Sequence, residues 1–254
     1  MATAKALWVL ETLGVSGPPT TALHAIADHE GIRYLYRNLP NDPGLSGQLL
    51  FKGDKKGIIV NTHNGNPGKH AFTFAHELGH YFLEHTPSFT KDGNTGFWCS
   101  TDDIKHNYKK QEAEANRFAV ALLMPEHLFR PLMAGSVLDF TLINSLAREF
   151  QVSKHACANR ALDFVREPYA VILSNRNTIT THKSSRAALG FLRTITHIPQ
   201  GTAAHNTIVN KRNQESFAAC EPEKWLTRSV PGCVVYEWTR GNFMREVAMT
   251  ILRW

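Results

Sequence analysis

Residues 74–85 read FAHELGHYFLEH, and no other stretch limits the fold of this chain as much. His76 and His80 stand four apart, with Glu77 beside the first. On an α-helix, positions four apart share a face about one turn apart, so both imidazoles can reach a single ion. Phe72, Ala75, Leu78, Gly79 and Phe82 are the small and apolar neighbours that let such a helix bury itself. A hydrolytic zinc site takes three protein ligands and leaves one position to water. Glu77 is placed to accept that water's proton as general base. The pattern is H-E-x-x-H in full, and it requires a third ligand from elsewhere in the chain.

The segment KKQEAEANRFAVALLMP (109–125) offers one. It reads as a helix from about Tyr108 to Met124, stopped by Pro125. At about 100° per residue, Glu112, Asn116, Ala119 and Leu123 fall within about 60° of one another, on a stripe continued by Ala115 and Leu122. Glu114 lies about 200° from Glu112 on the side of Lys110, and is expected to face solvent. A carboxylate on an apolar stripe is costly unless it meets a cation or a good partner. Glu112 is therefore the expected third ligand. Asn116, one turn on, can support a ligand histidine through its far nitrogen. The longer H-E-x-x-H-x-x-G-x-x-H pattern fails, because Leu83 and Thr86 occupy its glycine and histidine positions. His85, nine residues after His76, falls half a turn off the ligand face and is not expected to reach the same ion. The set is then His76, His80 and Glu112 on zinc with Glu77 as base, although such a donor set also accepts other divalent ions such as Mn2+. Tyr81, His106 and Tyr108 are candidates for stabilising an oxyanion.

The rest of the chain frames this site. The 254 residues suffice for one large domain or a catalytic domain with a smaller one. No segment approaches the ~20 apolar residues that span a bilayer, and the opening MATAKALWVLETLG reads as a helix start with too short an apolar run for a signal peptide. Cys99, Cys157, Cys220 and Cys233 are widely spaced without a C-x-x-C pair, which argues against a zinc ribbon or disulfide framework and for a reducing cytoplasm. Helices are expected over 3–13, 20–30, 138–150, 153–165 and near 184–194. QLLF and GIIVN read as a β-hairpin, residues 86–103 as a loop, and YAVILS, CVVYEW and VAMTIL as strands. Trp225, Trp238 and Trp254 are expected in the core. Charge is uneven. Residues 1–166 carry 17 Lys+Arg against 16 Asp+Glu (+1), and residues 167–254 carry 11 against 6 (+5), a surplus compatible with an acidic partner or nucleic acid.

Taken together, SGQLL (46–50), GIIVN (57–61), FTFAHELGHYFLEH (72–85), EAEANRFAVALLMP (112–125) and the lead-in PPTTALHAIADHEGI resemble the ImmA/IrrE metallopeptidases over about residues 18–165. The resemblance implies His76 and His80 as ligands, Glu77 as catalytic base and Glu112 as third ligand, in agreement with the helix faces. It also implies a zincin-like fold and a protein substrate, a helix-turn-helix repressor whose cleavage relieves repression in a stress response or in mobile-element induction. LINSLAREFQVSKHACANRALDF resembles that family's helix-turn-helix-like segment, with Gln151 where a turn glycine is commonest.

The expected architecture is α+β. A zincin-like domain of helices and a small antiparallel sheet covers 1–135, a helix-turn-helix-like segment covers 136–166, and a basic α+β region covers 167–254. Two functions follow. One is a zinc-dependent endopeptidase, with the QLLF/GIIVN hairpin presenting an edge strand to an extended substrate. The other is a DNA- or protein-binding regulator in which the metal site is structural or vestigial; a closed structural site normally has four protein ligands and no need of Glu77.

Overall fold

The computed structural model describes residues 1–63, 65–86, 88–89, 95–100, 110–210, 215–229, 231–242 and 246–254, with the backbone alone at 88–89 and 98–100. The chain opens with α1 (Ala2–Thr12) and α2 (Leu23–His29), separated by Gly14, Gly17 and Pro18 and by a 3-10 turn at Pro19–Ala22. Both were legible from the Gly/Pro break. Next come β1 (Ile32–Arg37), β2 (Leu45–Lys52) and β3 (Lys55–Asn61). Asn66 then caps α3 (Pro67–Phe82) by accepting from the Lys69 amide at 2.9 Å, and Pro67 fills the first helical position, where no amide is needed.

β2 and β3 form the expected hairpin, pairing Gly47 with Val60 and Lys52 with Lys55. Two expectations fail here. The segment after His85 contains two strands, β4 (Ser88–Phe89) and β5 (Thr95–Ser100), where a loop was expected. Their pairing also takes the hairpin away from the edge. The strand order is β1-β3-β2-β5-β4, so among the described residues the outer strands are β1 and β4, and the hairpin is not open to an extended peptide. The sheet is antiparallel except for the parallel pair β1–β3.

α3 packs on β2 and β3 and, on its other side, against α4 (Lys110–Leu123), which α1 also contacts. Leu49, Ile58, Val60, Phe74, Leu78, Phe118 and Leu122 are buried in this layer. Asn61 organises the loop before β2. Its amide donates to the carbonyls of Leu39, Asp42 and Leu45, and its Oδ1 accepts from the Leu39 and His63 amides at 3.0 and 2.9 Å. After Pro125 come the short α5 (Glu126–Phe129) and then α6 (Phe140–Glu149) and α7 (Lys154–Ala161). The turn between the last two closes by hydrogen bonds from Val152 N to Ala147 O and from Gln151 N to Arg148 O, with Gln151 at φ 52°.

The chain divides into two compact units, residues 1–132 with 146–153 and residues 133–145 with 154–254. The second unit holds an antiparallel sheet in the order β7-β6-β10-β9-β8, formed by β6 (Tyr169–Asn175), β7 (Thr178–Ser184), β8 (Glu215–Cys220), β9 (Val235–Asn242) and β10 (Val247–Arg253). One face packs Ala170, Ile172, Val235 and Leu252 with Ile198, Ala204 and Trp225, the last from a 3-10 turn and Ala204 from α8 (Ala203–Val209). The buried Glu237 carboxylate is satisfied by Trp225 Nε1 at 2.7 Å and the Ala204 amide at 3.2 Å. Trp225 is fully buried and Trp254 half-buried against this core, as expected. Trp238 lies outside this core: it is half-buried and tilted against Phe217, which stacks on Tyr236, both of them exposed. The helix expected near 184–194 is only a 3-10 turn at Arg186–Ala188, ended by Leu189 in extended conformation and Gly190 at φ 78°. β7, β8 and α8 had no counterpart among the sequence expectations.

Candidate metal centre

On α3, His76 and His80 lie one turn apart and direct their Nε2 atoms at each other, 3.0 Å apart. Glu112, from the first turn of α4, closes the group, with Oε2 at 3.1 Å from His76 Nε2 and Oε1 at 3.4 Å from His80 Nε2. One ligand atom from each residue lies within 4.8 Å of the others. All three side chains are buried, His76 at 0%, His80 at 1% and Glu112 at 6% exposure. A tetrahedral ion with bonds of ~2.0–2.1 Å sets its donors about 3.3 Å apart. The observed separations therefore fit a cation between the three groups. No apolar arrangement accounts for three such side chains converging out of water.

The helix-face reading of Glu112 holds. Ala115, Ala119 and Leu122 on its stripe are buried, and α4 can approach because Gly79 faces Ala115. A Cβ on Gly79 would stand 3.1 Å from the Ala115 Cα and carbonyl oxygen and 3.2 Å from Phe118. Asn116 also lies where the stripe predicts, its Oδ1 2.8 Å from His76 Nδ1. With Nε2 turned toward Glu112 and His80, a neutral His76 would carry its proton on Nδ1 and donate it to that oxygen, which fixes the ring.

The electrostatics differ between the ligands. Burial alone would lower the His76 imidazolium, but the Glu112 hydrogen bond and the charges of Glu77 and Glu112 outweigh it and hold its pKa above the ordinary value. Burial dominates at His80 and drives it down to about 4, with the charge of His76 adding to the fall. Burial would raise Glu112, yet the two histidines hold it well below the carboxylate range. Glu112 is thus an anion and His80 a neutral base at neutral pH, both states that bind a cation.

Glu77 is fully buried one residue beyond His76 and lies under β2. A Cβ on Gly47 would stand 2.9 Å from Glu77 Oε1, so the strand approaches this carboxylate as only a glycine permits. Phe97 on β5 stacks on the His80 ring at 4.2 Å between centroids. No sequence signal marked it, because its strand was expected to be a loop. Tyr81 is engaged elsewhere: its hydroxyl donates to Glu30 at 2.9 Å and accepts from Lys56 at 3.0 Å. His106 and Tyr108, the other oxyanion candidates, lie outside the described residues.

His85 is not among the grouped ligands, as expected, but it lies beside one of them, and Glu114 departs from expectation. α3 ends in a turn with Glu84 at φ 53°, closed by His85 N to His80 O and Glu84 N to Tyr81 O, both at 3.1 Å. The turn folds His85 back, so its Nδ1 lies 2.9 Å from His80 Nδ1. Glu114 does not face open solvent: its side chain is 19% exposed and its Oε2 lies 3.4 Å from His85 Nε2. Burial lowers the His85 pKa despite that carboxylate.

A family model described as the IrrE N-terminal-like domain (Peptidase_M78) matches residues 27–162, more than half of the chain and including all of α3 and α4. No curated protein matches the chain. Among solved structures, the fold is similar to that of a Mycobacterium tuberculosis transcriptional regulator, with a TM-score of 0.61 and 17% identity over 99% of this chain and 75% of that one.

Proposed function

The chain belongs to the IrrE N-terminal-like (Peptidase_M78) family, a metallopeptidase family, and from that premise we propose that it is a zinc-dependent endopeptidase acting on a helix-turn-helix transcriptional repressor. The observation that carries this reading is the convergence of His76, His80 and Glu112 with Glu77 buried on the same helix. His76, His80 and Glu112 would hold the zinc ion, which would supply Lewis acidity toward water and a scissile carbonyl. Glu77 takes the proton from the attacking water as its oxygen adds to the carbonyl carbon, then hands it to the nitrogen as the C–N bond breaks. Asn116 keeps His76 in the tautomer that presents Nε2. Three protein ligands and a separate carboxylate favour catalysis over a closed structural site.

The repressor substrate, and with it a role in a stress response or mobile-element induction, rests on resemblance to the ImmA/IrrE peptidases; no helix among the described residues is long and apolar enough to cross a membrane. The test is incubation of zinc-loaded protein with the helix-turn-helix repressor encoded nearest its gene, beside Glu77→Gln. Cleavage at one position by the wild type, with none by a Glu77→Gln protein that still binds zinc, is expected; an active Glu77→Gln protein sinks the assignment of the base.

A second reading, a DNA-binding regulator, is favoured by the α6–turn–α7 segment and by the +5 charge of residues 167–254. It predicts duplex binding that weakens steeply with salt, because phosphate contacts release counterions. Duplex binding absent at low salt would remove it.

A further inference from the structure

We infer that His85 stands behind His80 as the acceptor of its ring proton, which sets the His80 tautomer and holds it on the metal; this rests on the proposed metallopeptidase reading. His80 Nε2 is turned toward Glu112 and His76. The His80 Nδ1 that remains must carry the ring proton, and the atom it meets at 2.9 Å is His85 Nδ1. Two imidazole Nδ1 atoms at that distance share one hydrogen, so His85 Nδ1 accepts. The far His85 nitrogen, Nε2, lies 3.4 Å from Glu114 Oε2, an ion-pair distance without hydrogen-bond geometry. The assignment of hydrogens that satisfies the histidine pair is the one in which His85 accepts from His80 and His80 presents a lone pair to the ion.

The backbone is arranged to build this pair. In a continuing helix His85 would lie about 140° around the axis from His80. The left-handed residue Glu84 instead returns the chain onto the last turn, in a conformation that residues other than glycine rarely adopt. Phe97 closes the outer side, stacking on His80 at 4.2 Å and lying 6.3 Å from the His85 ring. Asn116 performs the same service for His76, so each ligand histidine has its own acceptor: an amide oxygen for one, an imidazole for the other. His85 is a positioning residue in this scheme, with the Glu114 carboxylate as a charge beside it.

The test measures zinc affinity of the full chain by competition with a chromophoric chelator, and the visible spectrum of the Co2+-loaded protein, for wild type, His85→Ala, His85→Asn and Glu114→Ala. Circular dichroism of each metal-free variant checks folding. Outer partners of metal-bound histidines typically contribute about 10–100-fold in affinity. His85→Ala is expected to bind zinc about 10–100-fold more weakly with an altered Co2+ spectrum. His85→Asn, whose Oδ1 can accept near the position of Nδ1, is expected to recover most of both, and Glu114→Ala to fall between. That rescue separates a hydrogen-bonding role from packing alone. The inference is overturned if wild type and folded His85→Ala bind zinc within twofold of each other with the same Co2+ spectrum, or if His85→Asn is as weak as His85→Ala. A wild type that binds no zinc overturns the metallopeptidase reading itself, and the inference with it.

Discussion

The two histidines of the site are held on opposite sides of the ordinary imidazole pKa, and this makes metal binding pH-dependent in a defined direction. His80, held down to about 4 chiefly by burial, is already neutral. His76, held above its ordinary value by Glu112 and Glu77 against the effect of burial, takes up a proton at a higher pH than a free imidazole, and a metal must displace that proton. A raised pKa means that the competing proton is present below that pKa and absent above it. Zinc affinity is therefore expected to fall about tenfold per pH unit below the raised His76 value, with about one proton released per ion bound. Calorimetric titration in buffers of different ionisation enthalpy reads that proton directly, and affinity that is flat between pH 8 and 6 would contradict it. A second prediction concerns backbone. Glu84 and Gln151 adopt φ of 53° and 52°, where a side chain is strained and glycine is not. Replacing each by glycine should raise metal-free stability by about 0.5–1 kcal/mol, the relief of strain exceeding the entropy that glycine adds to the unfolded chain. Urea denaturation measures it. Loss of stability would mean that these turns depend on the side chains.

At the scale of elements, the centre depends on how closely α3 and α4 pack. Gly79 sits inside α3, where alanine would be intrinsically better by about 1 kcal/mol. Its Cβ, however, would press on the Ala115 backbone at 3.1 Å, and overpacking typically costs about 1–3 kcal/mol. Gly79→Ala should thus destabilise the protein despite its helix propensity. It should also weaken zinc binding, because His80 and Glu112 lie on the two helices forced apart. A variant that is more stable and binds zinc like the wild type would show that the helices have room to spare. The same packing explains what was readable in the sequence. His76, Glu77 and His80 are local on one helix, and Glu112 and Asn116 follow from the period of the other. Phe97 was hidden because TGFWCS lies in a Gly- and Asp-rich stretch and pairs with distant β2 and with the two-residue β4. The contacts of His85 with His80 and Glu114 were not legible because an ideal helix continues past Leu83, whereas Glu84, a residue that gives no turn signal, reverses the chain. In the second unit, β6, β9 and β10 carry apolar runs and were legible, but β7 (TITTHKS) is mostly polar and exposed.

At the scale of the whole molecule, the ligands His76, His80 and Glu112 all belong to the unit formed by residues 1–132 and 146–153. A ligand that binds only the folded state stabilises it by about 4 kcal/mol at a thousandfold excess over its dissociation constant. That free energy acts first on the elements whose opening breaks the site. Hydrogen exchange with and without a chelator resolves where it goes. Amides in α3 and α4 are expected to exchange about tenfold or more slower when zinc is bound, each 1.4 kcal/mol of added stability being worth a factor of ten. Strands β6, β9 and β10, whose core of Ala170, Ile172, Val235 and Leu252 contains none of the ligands, are expected to exchange at unchanged rates. If those strands gain the same protection as α3, the two units open as one, and the metal then stabilises the whole chain. If only α3 and α4 respond, metal loss releases the peptidase half of the chain while leaving the basic sheet folded.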